Sequence, residues 1–123
     1  MKKILAVYGT LKLKYSNNYL LENSKFLGEF KTEPNYTLYG GGFPIIEREG
    51  NTPIHVELFE VNDYNVLKNV QSLEGFSGVK GHHSNWYDVD DDIITPYGMA
   101  TMFVMDKGKS GRNRIIKTGI WES

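Results

Sequence analysis

Apolar residues occur along this chain in short runs, either continuous or alternating with polar residues, and turn-forming residues separate the runs. Runs of this length and pattern are typical of β-strands rather than of long helices. They predict strands or short extended segments at residues 4–8, 26–31, 36–39, 43–46, 54–61, 86–89 and 98–104. Turns are expected where proline, glycine, asparagine or aspartate cluster, at residues 33–35, 48–51 and 90–92.

One helical pattern covers residues 62–73 and is the strongest in the chain. Its apolar stripe repeats every three residues: Tyr64, Leu67, Val70 and Leu73. Asn62 or Asp63 is expected to cap the amino end, and Gly75 is expected to end the helix. Residues 16–22 predict a second, shorter helix. Because helices and strands do not alternate regularly, the pattern favours an α+β fold with a curled mixed sheet over a doubly wound parallel sheet.

Length and composition are those of a globular protein and exclude several kinds of chemistry. The chain has 123 residues, 40% of them apolar, and no long linker or repeat, so we expect one domain over residues 1–123. The absence of cysteine excludes thiol nucleophiles, disulfides and iron–sulfur clusters. A formal net charge of -1 does not support nucleic-acid binding, which needs a clustered basic surface. We interpret the basic residues near the carboxyl end as a solvated segment: Lys107, Lys109, Arg112 and Arg114. The alternative is that they contact an acidic group of a substrate or a partner.

No segment indicates membrane insertion, export or metal binding. The longest apolar stretches fall far short of the ~20 residues of a membrane span, and the run that follows Lys2 and Lys3 is too short for a signal peptide. We therefore expect a cytoplasmic protein that does not enter a membrane. His82 and His83 are adjacent and lack a third ligand at a metal-site spacing, so no bound metal is expected. The sequence does not indicate an oligomeric state.

The first candidate functional segment is Tyr8-Gly9-Thr10-Leu11, which leaves the first predicted strand and is called the 8–11 loop below. Successive backbone N–H groups in such a turn can converge on an anion, and a glycine lets a ligand approach the backbone closely. The same residues also fit an ordinary turn at the end of a strand. Local sequence leaves both interpretations open.

Glu74 is the second candidate, because it lies between Leu73 and Gly75 at the carboxyl end of the predicted helix. The helix dipole is negative at this end, and burial would act in the same direction, so both effects would raise the pKa of the carboxyl. A glutamate with such a pKa can act as a general base near neutral pH. The alternative is a solvated glutamate at a frayed helix end.

Taken together, the two segments resemble the γ-glutamylcyclotransferase-like superfamily, which includes the γ-glutamylamine cyclotransferases and the AIG2-like proteins. The resemblance rests on the 8–11 loop directly after the first strand and on Leu73-Glu74-Gly75 about sixty residues later. Weaker similarities lie at Gly42-Phe43-Pro44, at Tyr87, in the late strand at 97–104 and at residues 119–121. Their order and spacing cover most of the chain.

The resemblance implies a small mixed β-barrel of about six to seven strands flanked by about two helices. It also implies an enzyme in which the α-amine of a γ-glutamyl compound attacks its own γ-carbonyl, releasing 5-oxoproline and a free amine or amino acid. Glu74 matches the family's acid/base residue and the 8–11 loop its substrate-binding loop. We expect Phe43 and Tyr87 to contribute to the same substrate site. The reaction requires no metal or cofactor, and the expected partner is a small γ-glutamyl molecule.

Two departures from the family pattern bear on the substrate. The segment between Gly75 and Tyr87 is longer than expected, and Val89 stands where the family often has arginine. The identity of the group attached to the γ-glutamyl moiety therefore cannot be transferred from the family. A non-catalytic module that binds a small ligand or a protein on the same fold is the alternative to an enzyme.

Overall fold

The computed structural model describes residues 2–41, 43–105 and 114–122. Within these residues the chain forms seven β-strands, one α-helix and one short 3₁₀ helix. Strands β1 to β7 comprise Lys3–Val7, Lys25–Lys31, Tyr36–Tyr39, Ile45–Arg48, His55–Val61, Asp88–Thr95 and Gly98–Val104. The 3₁₀ helix, Asn18–Leu21, follows β1, and helix α1, Tyr64–Glu74, follows β5. The predicted α+β class is confirmed.

The larger sheet has the strand order β2-β5-β1-β7-β6, which places β1 at its centre. β1 pairs antiparallel with β5 and parallel with β7, so the sheet is mixed. A central strand is covered on both faces, and Ile4, Leu5, Ala6 and Val7 are all buried. This burial on both faces explains the continuous apolar run near the start of the sequence.

Strands β3 and β4 form a separate antiparallel hairpin. The hairpin is attached to the larger sheet just beyond β7, where the Met105 amide donates to the Ile46 carbonyl at 2.7 Å and the Arg48 amide donates to the Met105 carbonyl at 3.0 Å. The described strands nevertheless form two sheets and no closed ring of hydrogen bonds. The predicted barrel is therefore a barrel-like arrangement that remains open.

Two apolar clusters pack on opposite faces of β1, because successive side chains of a strand point to opposite faces. Ile4 and Ala6 belong to one cluster, and Leu5 and Val7 belong to the other. Helix α1 contributes its buried side chains to the second cluster. The chain that leaves β1 therefore emerges between the two packed layers, which positions the 8–11 loop.

Strand β6 is longer than predicted, and residues 90–92 lie within it. The prediction of a turn at this point is wrong because Asp90 has partners on other strands. Its carboxylate accepts hydrogen bonds from Arg48 Nε and from Tyr36 Oη, both at 3.0 Å. A shift of register later in the strand accommodates the following aspartates. The hairpin turn to β7 comes only after β6 ends.

Helix α1 agrees closely with the helical pattern. Asp63 caps it through a side chain that accepts a backbone hydrogen bond, and Gly75 follows its last residue in the left-handed conformation. The two central members of the predicted apolar stripe are buried. Tyr64 and Leu73, at the two ends of the stripe, are exposed. In the ranges that the structure describes, no helix is both long and apolar enough to cross a membrane.

Three other expectations differ in detail from the structure. The predicted helix at 16–22 is reduced to the four-residue 3₁₀ helix. Arg48 belongs to β4 and not to the turn that follows. Trp86 precedes β6 and does not start it. Of the basic cluster, Lys107, Lys109 and Arg112 lie outside the described residues.

Candidate active site

A cavity of about 400 Å³ opens beside the carboxyl ends of β1 and α1. The residues that the sequence singles out all line it: Tyr8, Gly9, Thr10, Leu11, Phe43, Glu74 and Tyr87. They come from the end of β1, the β3–β4 connection, the end of α1 and the segment before β6. The fold thus brings residues that are far apart in the sequence to one concave surface.

Gly9 shapes the first wall of the cavity through a close approach to Pro44. A Cβ atom at position 9 would lie 2.4 Å from the Pro44 Cγ atom, far inside ordinary contact distance. The Lys12 amide donates to the Gly9 carbonyl at 3.0 Å and closes a tight turn. The φ angle of Gly9 is not positive, so its backbone conformation does not require glycine. Glycine is required at this position because there is no space for a Cβ atom beside Pro44.

Asn17 and Asn18 hold the rest of the 8–11 loop by hydrogen bonds. The backbone amide of Asn17 donates to the Thr10 carbonyl at 2.9 Å, and the side-chain Nδ2 of Asn17 donates to Thr10 Oγ1 at 2.8 Å. Asn18 Nδ2 donates to the Leu11 carbonyl at 2.8 Å. Among the described residues, no acceptor contacts the amide nitrogens of Gly9, Thr10 or Leu11. These N–H groups are donors that a bound anion can use.

Glu74 is the last residue of α1, and the turn that follows fixes its position. Gly75 has a φ of 65°, its amide donates to the Ser72 carbonyl, and the Phe76 amide donates to the Gln71 carbonyl. This pair of hydrogen bonds is the Schellman arrangement that ends many helices. Burial raises the pKa of Glu74 to about 7. A carboxyl at this pKa exchanges its proton near neutral pH.

The backbone on both sides of Glu74 is tied to the segment that carries Tyr87. The Trp86 amide donates to the Gly75 carbonyl at 2.9 Å, and the Tyr87 amide donates to the Glu74 carbonyl at 3.3 Å. A Cβ atom on Gly75 would lie 2.8 Å from the Trp86 Cβ atom. The end of α1 and the start of β6 are therefore held together, and Glu74 and Tyr87 lie side by side in the cavity wall.

Two buried tyrosines stand beside Glu74. Tyr8 Oη donates to the Phe103 carbonyl, and Tyr87 Oη donates to the Pro44 carbonyl, each at 2.5 Å. Burial is the main cause that raises the pKa of each phenol above its usual range, and the neighbouring Glu74 carboxyl adds to the rise. Both tyrosines therefore stay protonated. Because their protons are donated to backbone carbonyls, they brace the walls around Glu74.

The cavity also contains residues that the sequence reading did not assign to the site: Asn17, Pro44, Leu73, Trp86 and Phe103. The sequence pattern places Asn17 only within the predicted helix at 16–22 and Trp86 only at the start of a predicted strand. Pro44 follows Phe43 and Trp86 precedes Tyr87 in the sequence, and this adjacency is the feature by which the sequence could have indicated that they line the site. Of the described residues that line the cavity, none is lysine, arginine or histidine.

The two adjacent histidines lie in the exposed loop after α1. The rings of His82 and His83 stack with their centroids 4.3 Å apart, and His82 Nδ1 accepts the Ser84 amide hydrogen bond at 3.1 Å. Across residues 2–41, 43–105 and 114–122, no group of three or more His, Asp or Glu side chains is arranged to hold a metal ion. The histidines contribute to the structure of the loop.

Comparison with known proteins agrees with this architecture. The family described as "Gamma-glutamyl cyclotransferase, AIG2-like" matches residues 5–123, and the chain belongs to this family. The γ-glutamylcyclotransferase family protein YtfP of Escherichia coli K12 is 30% identical over 115 residues, which cover 94% of this chain and 92% of YtfP. A Vibrio cholerae protein, provisionally named a γ-glutamylcyclotransferase, is 30% identical over 122 residues, which cover 98% and 96% of the two chains.

Solved structures show the same fold. The crystal structure of an uncharacterised protein from Pyrococcus horikoshii superimposes with a TM-score of 0.75 at 28% identity, covering 96% of this chain and 88% of that one. The solution structure of YtfP superimposes with a TM-score of 0.66 at 31% identity, covering 98% and 96% of the two chains. Because each superposition covers nearly all of this chain, the overall fold is shared with these two proteins.

Proposed function

We propose that this protein is an enzyme that cyclises a γ-glutamyl compound, releasing 5-oxoproline and a free amine or amino acid. The observation that carries the proposal is the position of Glu74. Its carboxyl, with a pKa of about 7, lines the same cavity as Gly9, Thr10 and Leu11, whose amide nitrogens donate to no acceptor among the described residues. Membership of the γ-glutamyl cyclotransferase family supports the general reaction. The roles proposed for individual residues follow the family resemblance, and the place of Glu74 in the cavity wall and its raised pKa support them.

The first step is removal of a proton from the substrate. The α-amine of a γ-glutamyl group is an ammonium ion near neutral pH, and an ammonium nitrogen has no electron pair to donate. Glu74 in its ionised form takes the proton. Because its pKa is about 7, a large fraction of the enzyme carries the ionised form near neutral pH, while the protonated form remains a competent acid.

The second step closes the ring. The free α-amine attacks the γ-carbonyl carbon of the same molecule, a C–N bond forms, and the carbonyl electron pair moves to oxygen. Attack within one molecule requires orientation more than activation, so the enzyme needs no covalent nucleophile. The N–H groups of Gly9, Thr10 and Leu11 donate hydrogen bonds to an anionic group of the substrate, either this oxyanion or the α-carboxylate.

The third step expels the amine. Protonated Glu74 gives its proton to the leaving nitrogen, the original amide C–N bond breaks, and the carbonyl forms again in 5-oxoproline. Glu74, ionised again, takes the second proton from the ring nitrogen as the ring becomes an amide. It passes this proton to the released amine, which leaves as an ammonium ion, and so returns to its starting state. The atoms and charges balance with no redox partner and no group from outside the substrate.

A turnover assay tests this proposal. Purified protein is incubated with γ-glutamyl amides, dipeptides, isopeptides and glutathione, and 5-oxoproline is measured by mass spectrometry. Replacing Glu74→Gln keeps the shape of the side chain and removes the proton exchange, so we expect kcat to fall about 100-fold or more. The matched control is Glu33→Gln, at an exposed glutamate before β3, and it should keep full activity. If wild type releases no 5-oxoproline from any compound, the cyclase proposal is wrong. Retained ligand affinity in the Glu74→Gln variant would then favour a binding module.

A further inference from the structure

Three large apolar side chains form the rim of the cavity and remain exposed. Phe43 is 50% exposed, Leu73 is 44% exposed and Trp86 is 59% exposed. They come from the β3–β4 connection, the last turn of α1 and the segment before β6. They are called the apolar rim below. An exposed apolar cluster beside a polar site is typical of a surface that a ligand covers.

Contacts of the backbone hold the rim in place. Trp86 is fixed by the hydrogen bond from its amide to the Gly75 carbonyl and by the packing of its Cβ against Gly75. Leu73 is part of α1 and immediately precedes Glu74. Phe43 precedes Pro44, which packs on Gly9 and accepts the hydrogen bond from a buried tyrosine. The backbone that carries the rim is therefore organised before a ligand binds, which lowers the entropy lost on binding.

The position of the rim indicates which part of the substrate it contacts. In the proposed reaction Glu74 protonates the leaving nitrogen, so the group on that nitrogen lies close to the end of α1. Leu73 and Trp86 flank this point, because one is adjacent to Glu74 in the helix and the other is bonded to Gly75. The carboxylate of the γ-glutamyl group belongs at the N–H donors of the 8–11 loop, and its amine belongs beside Glu74, which takes its proton. The leaving group therefore lies on the apolar rim.

The charges around the cavity restrict the leaving group further. Of the described residues lining it, Glu74 is the one carboxyl, and none carries a positive charge. A carboxylate on the leaving group would lose water beside Glu74 without a cation to compensate it. An ammonium at the far end of an alkyl leaving group would lie beyond Glu74 and would lose water among the apolar side chains of the rim. An uncharged hydrocarbon group would instead gain by covering the rim.

We infer that the substrates are γ-glutamyl amides of uncharged, apolar primary amines, with an aromatic or branched alkyl group that packs on Phe43, Leu73 and Trp86. This inference rests on the proposed function and narrows it to one substrate class. It separates such amides from γ-glutamyl amino acids, which add a carboxylate, and from γ-glutamyl polyamines, which add an ammonium.

Two matched pairs of substrates test the inference. γ-Glutamylphenylalanine differs from γ-glutamylphenethylamide by one carboxylate, and γ-glutamylputrescine differs from γ-glutamylpentylamide by replacement of a methyl group with an ammonium group. We expect kcat/KM to be about 10-fold higher or more for the uncharged member of each pair, since charge burial without a partner is unfavourable. Equal values, or a preference for the charged member, would overturn the inference while leaving the cyclase proposal intact.

Variants test whether the preference for apolar leaving groups arises at the apolar rim. Trp86→Ala should lower kcat/KM for γ-glutamylphenethylamide by about 5-fold to 10-fold, because a contact with an aromatic ring is lost. Most of this loss should appear in the ratio of kcat/KM for γ-glutamylphenethylamide to kcat/KM for γ-glutamylmethylamide, because methylamine is too small to reach the rim. Ile94→Ala is the control, since Ile94 is 76% exposed on β6 and does not line the cavity. A uniform loss for both substrates would contradict the role of the rim.

Binding measurements keep the inference testable if no compound is turned over. Isothermal titration of the same matched pairs into wild type measures affinity without chemistry, and the Glu74→Gln variant serves for compounds that react. Tighter binding of the uncharged members would support the apolar rim even where the cyclase proposal fails. Tighter binding of the charged members, or no binding of any compound, would overturn it.

Discussion

Replacing Glu74→Gln is expected to stabilise the fold at alkaline pH, relative to wild type, while it removes the ionisable group. Burial raises the pKa of this carboxyl from 4.5 to about 7, so the folded protein holds the proton more tightly than the unfolded chain. The contribution of this tighter proton binding to the free energy of unfolding is fully present below about pH 4.5 and is lost as the pH rises through about 7. Glutamine is uncharged throughout and does not lose stability in this way.

Proton linkage gives the size of the effect. With these two pKa values, the free energy of unfolding of wild type should fall by about 2.5 kcal/mol relative to the variant between about pH 5 and about pH 8. The difference between the two proteins is the useful quantity, because other titrating groups contribute equally to both and cancel. A partly exposed carboxyl, hydrated in the open cavity, would give a smaller fall of the same sign.

Urea unfolding followed by circular dichroism, at several pH values in this range, measures the effect for wild type and variant. Glu33→Gln is the control, because it makes the same substitution at an exposed glutamate that does not line the cavity. Parallel curves for wild type and Glu74→Gln, with a difference that changes by less than about 0.5 kcal/mol, would refute the reasoning. Glu74 would then be hydrated in the folded protein and unsuited to proton exchange near neutral pH.

Three further predictions follow from the same site. The kcat/KM of wild type should rise with pH through about 7 as Glu74 loses its proton, and a flat profile would contradict the base role. Gly9→Ala should lower stability by about 1–3 kcal/mol and kcat/KM by about 10-fold, because the added Cβ would lie 2.4 Å from Pro44; denaturation and turnover measure the two effects. Gly75→Ala should destabilise the fold by about 1–3 kcal/mol in urea unfolding, because φ is 65° and the new Cβ would meet Trp86 at 2.8 Å.

The parts of the fold that the sequence predicts well are those where local pattern and tertiary environment agree. β1 is buried on both faces, so its run of apolar residues is continuous, and α1 has a cap and a stop at the residues its pattern indicates. The aspartates of β6 were placed wrongly because Asp90 is paired with Arg48 and Tyr36, which lie on other strands. No local pattern contains such a pairing.

In the candidate site, too, some residues could be predicted from local sequence and others depend on tertiary contacts. The 8–11 loop and Glu74 could be selected because each combines a chemical group with a local geometry, a turn after a strand in one case and a helix end in the other. Asn17 and Trp86 could not be selected, because their place in the cavity depends on how the 3₁₀ helix and the segment before β6 fold back onto these elements. Which side chains meet at the cavity depends on how the strands and helices are arranged in space, and a local sequence pattern does not contain that arrangement.

The backbone hydrogen bonds between residues 74–75 and 86–87 have a consequence for the variability of the chain. They join the two ends of the intervening segment, so that residues 76–85 form an excursion that starts and finishes at one place. Lengthening such an excursion changes its closure entropy by only about 0.6 kcal/mol for each doubling. Phe76 is part of the turn after Glu74 and packs on Phe103. Evolution and protein engineering can therefore rewrite residues 77–85, or insert a tag among them, while the carboxyl at the end of α1 stays where it is.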